Sequence, residues 1–382
     1  MVKASKFFLS LTCGLVVCAA DPATAADVKF GQIASQTNPA SIANAKELQA
    51  GIEAYFESVN VKGGINGNNL KLQVLDDSIQ AAKMVELTGQ LIANPSVVGL
   101  IGFLNTGGLT ALTKENAFGK SGIAMIAPMQ GDKNIVEAEN VFPLRSGFPE
   151  EIEALLKEAK TWGKDTISIV NMNVGFGPVL AEFAEKRATE MGLKVLSRSV
   201  VDFNPNTQAA SVTAAVKSIV QAKPKGILVV AAGAPAFEFI KAVRDVPEGA
   251  LQIYGLSVVR HSDLIATTGV VKARGIVLSQ ATPYPYTSNK TVITEYQNAM
   301  KAHNPKAEFS FASLEGFLGA KIAGEAVRRA GGTPTRERML TTLKTMGEYN
   351  LGGISVNYGP QARKGWGGVD VTIVGASGNL QK

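Results

Sequence analysis

The sequence predicts an α/β fold with largely parallel sheets, arranged as two lobes. From residue 28 onward, apolar runs of strand length alternate with longer segments whose apolar residues recur at helical spacing. This pattern is typical of parallel sheets covered by helices. The alternation is interrupted at 141–146 and then starts afresh, which indicates a second lobe. The length of 382 residues also suits two domains of ordinary size.

The first 25 residues have the pattern of a secretory signal peptide. Two lysines precede an apolar run at 7–20, and Ala23-Thr24-Ala25 forms an A-x-A cleavage motif. The apolar run is too short to span a membrane. We expect cleavage after Ala25, which would leave 357 of the 382 residues.

Both cysteines of the chain, Cys13 and Cys18, lie in this first segment. A lipid anchor at Cys18 is the weaker interpretation, because Val17 stands where a small residue is expected. After cleavage the chain would contain no cysteine, so its stability would depend on its hydrophobic core rather than on disulfides. A hydrophobic content of 46% is ample for such a core.

The charge distribution argues against one class of partner. The net charge is +6, and it falls to +5 without Lys3, Lys6 and Asp21. The basic residues are scattered among acids and form no stripe with interleaved aromatic residues, so we do not expect nucleic-acid binding. No apolar run after the signal segment is long enough to cross a membrane, and we therefore expect a soluble mature protein.

The elements of the first lobe follow from the periodicity. They are strands at 28–33 and 70–75, helices at 41–59 and 81–93, and two further apolar runs of strand length within 97–131. Gly63-Gly64 ends the first helix, because glycine accepts the left-handed conformation at a helix end. Asn66-Gly67 then forms a turn.

The second lobe should repeat the same alternation. Its predicted elements are helices at 150–161, 178–190, 207–222 and 235–244, and strands at 166–170, 193–198, 226–231 and 251–254. Helices at 290–302 and 311–329 should return to the first lobe. Thr333-Pro334 caps a further helix, and two final strands are expected at 351–358 and 369–374.

These elements predict where the chain passes between the lobes. The first lobe comprises 26–146 and 282–346, and the second comprises 147–281 and 347–382. We expect the three crossings near 145–148, 280–286 and 345–351. The second crossing contains the rigid aromatic sequence P-Y-P-Y at 283–286.

The candidate ligand site lies in loops at the carboxyl ends of strands, where open α/β sheets bind ligands. In the first lobe, Asn105, Thr106 and Gly107 stand before a predicted helix, whose free N–H groups would point at an anion or a carbonyl. The other candidates follow strands in the same way. They are Gln36, Ala127, Met129 and Gln130 in the first lobe, and Asn173, Phe176 and Ser257 in the second.

The sequence contains no complete form of several common catalytic and phosphate-binding motifs. Gly119-Lys120-Ser121 ends like a phosphate-binding loop, but Lys114 stands where the earlier glycine is required. The sequence contains neither H-E-x-x-H nor G-x-S-x-G, and its two histidines have no ligand-spaced carboxylates nearby. Asp76-Asp77 is better explained as a loop cap, since adjacent residues of an extended segment point to opposite faces. We therefore expect no catalysis, no cofactor and no metal.

An ordered set of short motifs carries a resemblance to a known family. The motifs are G-G-I-N-G at 63–67, Asp76-Asp77, G-F-L-N-T-G-G at 102–108, Ala127-Pro128, F-P-L-R at 142–145, Phe176-Gly177, F-A-S-L-E-G-F at 311–317 and N-L-G-G at 350–353. In this order they resemble the periplasmic substrate-binding proteins of ABC importers, of the branched-chain amino-acid (Leu/Ile/Val) type.

The resemblance implies a type I periplasmic binding fold. Such a protein has two Rossmann-like lobes with parallel sheets, three hinge crossings and a cleft that closes on a small ligand. It implies a periplasmic location, delivery of the ligand to an inner-membrane ABC permease, and a monomer. A sensor that presents its closed form to a membrane receptor is the alternative.

The resemblance also assigns roles in the site. Asn105, Thr106 and the turn at 127–130 match the groups that hold a ligand carboxylate, and Phe176 matches the aromatic cover. In relatives that bind amino acids, an acidic side chain of the second lobe meets the ammonium group. The second-lobe loops at 171–176, 231–235 and 256–260 contain no Asp or Glu. We therefore expect a carboxylate, or an aromatic or aliphatic acid, with an amino acid as the alternative.

Overall fold

This computed structural model describes residue 1 and residues 26–37, 42–247, 251–287, 289–360 and 363–382. Nearly all of the predicted signal segment, with both cysteines, therefore lies outside the described residues. So do part of the loop after the first strand and the predicted first residue of the helix at 41–59.

The first lobe is built on a five-stranded parallel sheet. Its strands are β1 Ala26–Ile33, β2 Asn68–Leu75, β3 Val97–Ile101, β4 Met125–Ile126 and β5 Val141–Phe142, in the order β2-β1-β3-β4-β5. Its helices are α1 Ile42–Asn60, α2 Ala81–Ala93, α3 Thr106–Lys114, α4 Ala117–Ser121 and α5 Lys133–Val136. Strands β3, β4 and β5 are buried throughout, as expected for parallel strands covered on both faces.

The second lobe contains a second sheet with a parallel central part. Its parallel strands are β6 Thr166–Met172, β7 Lys194–Val201, β8 Gly226–Val230, β9 Gln252–Gly255 and β10 Val277–Gln280, in the order β10-β9-β8-β6-β7. Its helices are α6 Phe148–Thr161, α7 Gly177–Glu190, α8 Pro205–Ala222, α9 Gly233–Val243, α10 His261–Thr268 and α11 Val270–Ala273. Buried residues on its two faces form two hydrophobic clusters.

The next three helices pack on the first lobe. The returning helices are α12 Thr291–His303, α13 Phe311–Ala330 and α14 Arg336–Lys344. Leu314 and Phe317 of α13 share one core cluster with Phe30 of β1 and Leu48 of α1. The rings of Tyr55 and Phe317 meet edge to face, with centroids 5.3 Å apart.

The next residues depart from the prediction, which placed 347–382 in the second lobe. They form a small antiparallel sheet of β11 Gly347–Asn350, β12 Ser355–Tyr358 and β13 Arg363–Lys364. This sheet packs on the first lobe, because the ring of Tyr358 lies 5.4 Å from that of Phe142 and its hydroxyl donates to the Pro143 carbonyl at 2.6 Å.

The third crossing therefore lies later in the chain than 345–351. Strand β14 Asp370–Val374 pairs antiparallel with β10, and β15 Leu380–Gln381 pairs antiparallel with β14 at the edge of the second sheet. Between β13 and β14 the chain runs beside the first crossing, where the Trp366 N–H donates to the Leu144 carbonyl at 2.7 Å and the Ser146 hydroxyl donates to the Gly368 carbonyl at 2.6 Å. The other lobe boundaries stay predictions.

Helices α1 and α13 pack backbone to backbone through glycines. A Cβ atom placed on Gly316 would lie 2.0 Å from the Leu48 carbonyl oxygen, and one on Gly51 would lie 1.8 Å from that of Ser313. Neither position has room for a side chain. Within the described ranges, no helix combines the length and apolar character that crossing a membrane requires.

Replacing Gly316 with alanine should therefore destabilise the protein by about 1–3 kcal/mol or more, because two helix backbones must move apart. Gly89 in α2 is the matched control, since a Cβ there meets nothing within 4 Å. Gly89→Ala should be stabilising by about 0.5–1 kcal/mol through helix propensity. Urea denaturation of both variants measures the difference, and equal midpoints would contradict the proposed close packing.

Candidate functional site

A cavity of about 1270 Å³ lies between the two lobes, lined by both of them and by the crossing segments. Five of the ten predicted site residues line it. These are Thr106, Met129 and Gln130 from the first lobe, and Phe176 and Ser257 from the second. The other five are also among the described residues, and the structure places them elsewhere.

Asn105 holds the loop beside the cavity rather than lining the cavity itself. Its buried side chain caps α3 by accepting the Gly108 N–H at 3.2 Å, and it donates to the Asp77 carboxylate at 2.8 Å. Gly107 is exposed at the start of the same helix. Ala127 is buried with a left-handed φ of 46° and donates its N–H to the Phe142 carbonyl at 2.8 Å.

Gln36 and Asn173 likewise make their hydrogen bonds with residues outside the cavity lining. The Gln36 side chain donates to Gln49 at 3.1 Å, and its backbone N–H donates to Asp76 at 2.9 Å. Asn173 is exposed, donates to the Asp202 carboxylate and accepts the Phe203 N–H at 3.0 Å. Strand-end position alone therefore does not decide which loop residue lines the cavity.

Thr106 and Gln130 form a polar pair on the first-lobe wall. The Gln130 amide nitrogen donates to the Thr106 hydroxyl at 2.7 Å. The amide oxygen accepts the N–H groups of Gly131 and Asp132 at 3.1 and 3.3 Å. This hydrogen bond joins the two loops predicted from the sequence at the cavity wall.

Several aromatic side chains also line the cavity. Phe176 packs against Phe148 with ring centroids 4.8 Å apart. Tyr284 and Tyr286 of the second crossing lie 5.1 Å apart, and each lies 6.3 Å from Phe311 at the start of α13. The sequence P-Y-P-Y predicted a crossing but not this role.

A charged cluster that sequence reasoning missed lies where the lobes join. Glu151, in the first turn of α6, accepts hydrogen bonds from the Ser257 N–H at 2.8 Å, the Ser257 hydroxyl at 2.9 Å and the Ser279 hydroxyl at 2.6 Å. Arg145 of the first crossing donates to the Ser257 hydroxyl at 3.1 Å. Its Nε lies 3.5 Å from Oε1 of Glu315 on α13. Arg145 therefore connects the two lobes through its guanidinium.

Glu315 is almost completely buried, with 2% of its side chain exposed. Burial raises the pKa of Glu315 to about 7; the Arg145 guanidinium opposes this rise and the Glu151 carboxylate adds to it. The carboxyl therefore changes its charge near neutral pH.

Stability should depend on pH through this group. Between about pH 4.5 and 7 the folded chain keeps the Glu315 proton that the unfolded chain releases, so stability falls as pH rises. Glu315→Gln removes this titration, and its melting temperature relative to the natural chain should be higher at pH 8 than at pH 5. Glu308→Gln, which changes an exposed acid of the same cavity, is the control. A constant difference between Glu315→Gln and the natural chain would refute the assignment.

Contrary to the expectation that no acid is available for a ligand ammonium group, acidic side chains line the cavity. Glu47, Glu238, Asp263, Glu308 and Glu315 all line the cavity. They were missed because none of them stands in the second-lobe loops that the resemblance pointed to. The absence of a carboxylate partner for an ammonium group therefore no longer argues against an amino acid.

An ion pair joins the lobes away from the crossings. Arg260, which precedes α10 in the second lobe, contacts the Glu47 carboxylate on α1 of the first lobe, and it also lies 3.5 Å from Asp263. Burial raises the pKa of Glu47, and Arg260 opposes the rise. The cavity is therefore bridged by charged side chains at this pair as well as at Arg145.

The chain is similar to known proteins in sequence. A family model described as "Periplasmic binding protein" matches residues 27–378. Leu/Ile/Val-binding protein homolog 2 of Brucella abortus (strain 2308) is 24% identical over 191 residues, which are 48% of this chain and 50% of that relative. The chain thus spans about half the length of the curated relatives it matches.

Two solved structures are similar over nearly the whole chain. An extracellular ligand-binding receptor from Verminephrobacter eiseniae ef01-2 has a TM-score of 0.84 at 25% identity, covering 94% of this chain and 100% of that one. A substrate-binding periplasmic protein from Ralstonia solanacearum has a TM-score of 0.81 at 26% identity, covering 93% and 99%. The predicted two-lobe α/β fold is confirmed by these similarities.

Proposed function

Because this chain belongs to the periplasmic binding protein family, we propose that it captures a small organic solute between its lobes outside the cytoplasm. It then delivers the solute, chemically unchanged, to an ATP-driven importer of the inner membrane. The observation that carries the proposal is the large cavity that both lobes and their crossing segments line. The signal-like first segment and the expected monomeric state accord with this function.

The ligand of this proposal is a small organic acid with an apolar body. The Thr106–Gln130 pair offers a polar contact for a ligand oxygen on the first lobe. Phe176, Tyr284 and Phe311 offer aromatic surface for an apolar body. Aromatic or aliphatic acids combine both features.

A branched-chain or other amino acid is the second candidate. The carboxylates along the cavity favour it, because an ammonium group of the ligand would find an acidic partner there. The curated relatives carry the name Leu/Ile/Val-binding protein, which supports the same candidate.

A thermal-shift measurement with matched compounds tests the proposal. Leucine and phenylalanine are compared with their des-amino counterparts, 4-methylpentanoate and 3-phenylpropanoate. A compound present at about 100 times its Kd should stabilise the fold by about 2.7 kcal/mol. We expect a rise with at least one of the four. If neither these four nor a wider panel of sugars, amines and peptides raises the melting temperature, solute capture is contradicted.

Binding should also close the lobes, since a ligand that contacts both walls favours the state in which both contacts form. Small-angle X-ray scattering with a compound that passes the thermal-shift test should give a smaller radius of gyration than the free protein. An unchanged radius at saturation would argue against a hinged cleft.

A further inference from the structure

The hydrogen bonds around Gln130 determine which way its amide faces. Its oxygen accepts two backbone N–H groups, from Gly131 and Asp132. A backbone N–H can only donate, so reversing the amide would place its NH₂ group against two donors. Gln130 is 3% exposed, and unpaired polar groups are costly at such a buried position. The amide nitrogen must therefore face Thr106.

This orientation decides the role of the Thr106 hydroxyl. An amide NH₂ group has donors only, so the Thr106 oxygen is the acceptor in the 2.7 Å contact. Across the described part of the chain, Thr106 Oγ1 has no other hydrogen-bond partner. Its own proton therefore stays available, and the half-buried Thr106 side chain lines the cavity.

We propose that Gln130 is a positioning residue that sets Thr106 as a hydrogen-bond donor to the cavity. This point of the site then accepts only a ligand atom with a lone pair, such as a carboxylate or carbonyl oxygen. The inference rests on the proposed solute-capture function, and it states which kind of ligand atom the first-lobe wall can bind. Thr106 touches the ligand, and Gln130 acts through Thr106.

Ser257 carries the other predicted hydroxyl at the cavity, but its proton is already used in a hydrogen bond within the protein. Its oxygen accepts from Arg145 at 3.1 Å, since a guanidinium can only donate, and its proton goes to the Glu151 carboxylate at 2.9 Å. Ser257 therefore cannot substitute for Thr106 as a donor to the ligand. Of the two hydroxyls, Thr106 alone has a proton to donate.

Neutron diffraction from crystals of the deuterated free protein tests the orientation without any ligand. We expect deuterium on the Gln130 nitrogen directed at Thr106 Oγ1, and the Thr106 deuterium directed into the cavity. A Thr106 deuterium directed at the Gln130 side chain would overturn the proposal, whatever the protein binds.

A double-mutant cycle measured by calorimetry tests the consequence for binding, with 4-methylpentanoate and leucine as probes. Thr106→Val should weaken the tighter probe by about 10- to 100-fold. Gln130→Met should weaken it by about 3- to 10-fold in the natural background and have no further effect in Thr106→Val. Gln90→Met is the matched control, because Gln90 is exposed on α2, lies outside the cavity lining and donates to Glu86 at 3.3 Å; its Kd should be unchanged. Melting temperatures of all variants show whether each remains folded.

The outcomes separate this inference from the proposed function. Equal effects of Gln130→Met in both backgrounds would overturn the positioning role, since a general structural defect adds independently of Thr106. Suppose that the natural chain binds an amine without an acceptor oxygen and binds neither 4-methylpentanoate nor leucine. The inference is then overturned, while solute capture stands. If no compound binds, the proposed function itself is contradicted, and the neutron result still decides the orientation.

Discussion

Replacing Arg145 with methionine should lower the free energy of unfolding by about 3–5 kcal/mol at pH 8, the cost of leaving a buried charge without its partner. The Arg145 side chain is 8% exposed and lies between Glu315 and the Ser257 hydroxyl. Methionine fills much of the space of the arginine stem but offers no positive charge and no donor. Urea denaturation followed by tryptophan fluorescence measures the loss.

The same loss should shrink at pH 5. Because burial raises the pKa of Glu315 to about 7, this carboxyl can take up a proton at pH 5 and no longer needs a cationic partner. Arg187→Met is the control, since Arg187 pairs with Glu153 and Glu190 on the exposed surface. Its effect should be far smaller at both pH values. An Arg145→Met loss that does not depend on pH would mean that Glu315 is not the group left unpaired.

The sequence was sufficient for the fold where local pattern decides structure. Parallel strands such as β3 and β8 are short buried apolar runs between amphipathic helices, so their position follows from periodicity alone. The sheet of β11 to β13 could not be placed in this way. Its strands have two to four residues, and its assignment to the first lobe depends on the contact between Tyr358 and Phe142.

The site was predictable only in its loops. Strand ends pointed to Thr106, Gln130, Phe176 and Ser257, because parallel topology places the carboxyl ends of strands at one edge. Glu47 and Glu315 stand on helices. Helical periodicity shows which face of such a helix is polar, but it does not show which part of that face borders a second lobe. Arg145 was predicted only as part of a crossing, and nothing in its local sequence indicated that Glu315 and Ser257 contact it.

The predicted loop residues also differ in what their polar atoms do. Asn105 and Thr106 are adjacent and both polar, yet the Asn105 side chain bonds to Gly108 and Asp77 within the first lobe, whereas Thr106 keeps a proton for the cavity. That distinction depends on hydrogen-bond partners far apart in the chain. It is visible only once the fold brings the loop at Gln130 beside the loop at Thr106.

Replacing Phe176 with alanine should weaken binding of the tightest compound of the thermal-shift panel by about 30- to 150-fold. The estimate corresponds to about 2–3 kcal/mol for apolar burial lost when the ring is removed. Phe176 precedes α7, lines the cavity and packs against Phe148, so its ring is held in place before a ligand arrives. Isothermal titration calorimetry measures the change in Kd.

Phe203 provides the matched control, because it is 56% exposed and does not line the cavity among the described residues. Phe203→Ala removes the same ring from the same lobe and should leave the Kd unchanged. If the ligand packs on Phe176, the Phe176→Ala variant should also lose more affinity for the phenyl compounds than for the aliphatic ones, since a pair of aromatic rings adds to area burial. Equal Kd values for Phe176→Ala and Phe203→Ala would place the apolar body of the ligand elsewhere, against Tyr284, Tyr286 and Phe311 at the second crossing.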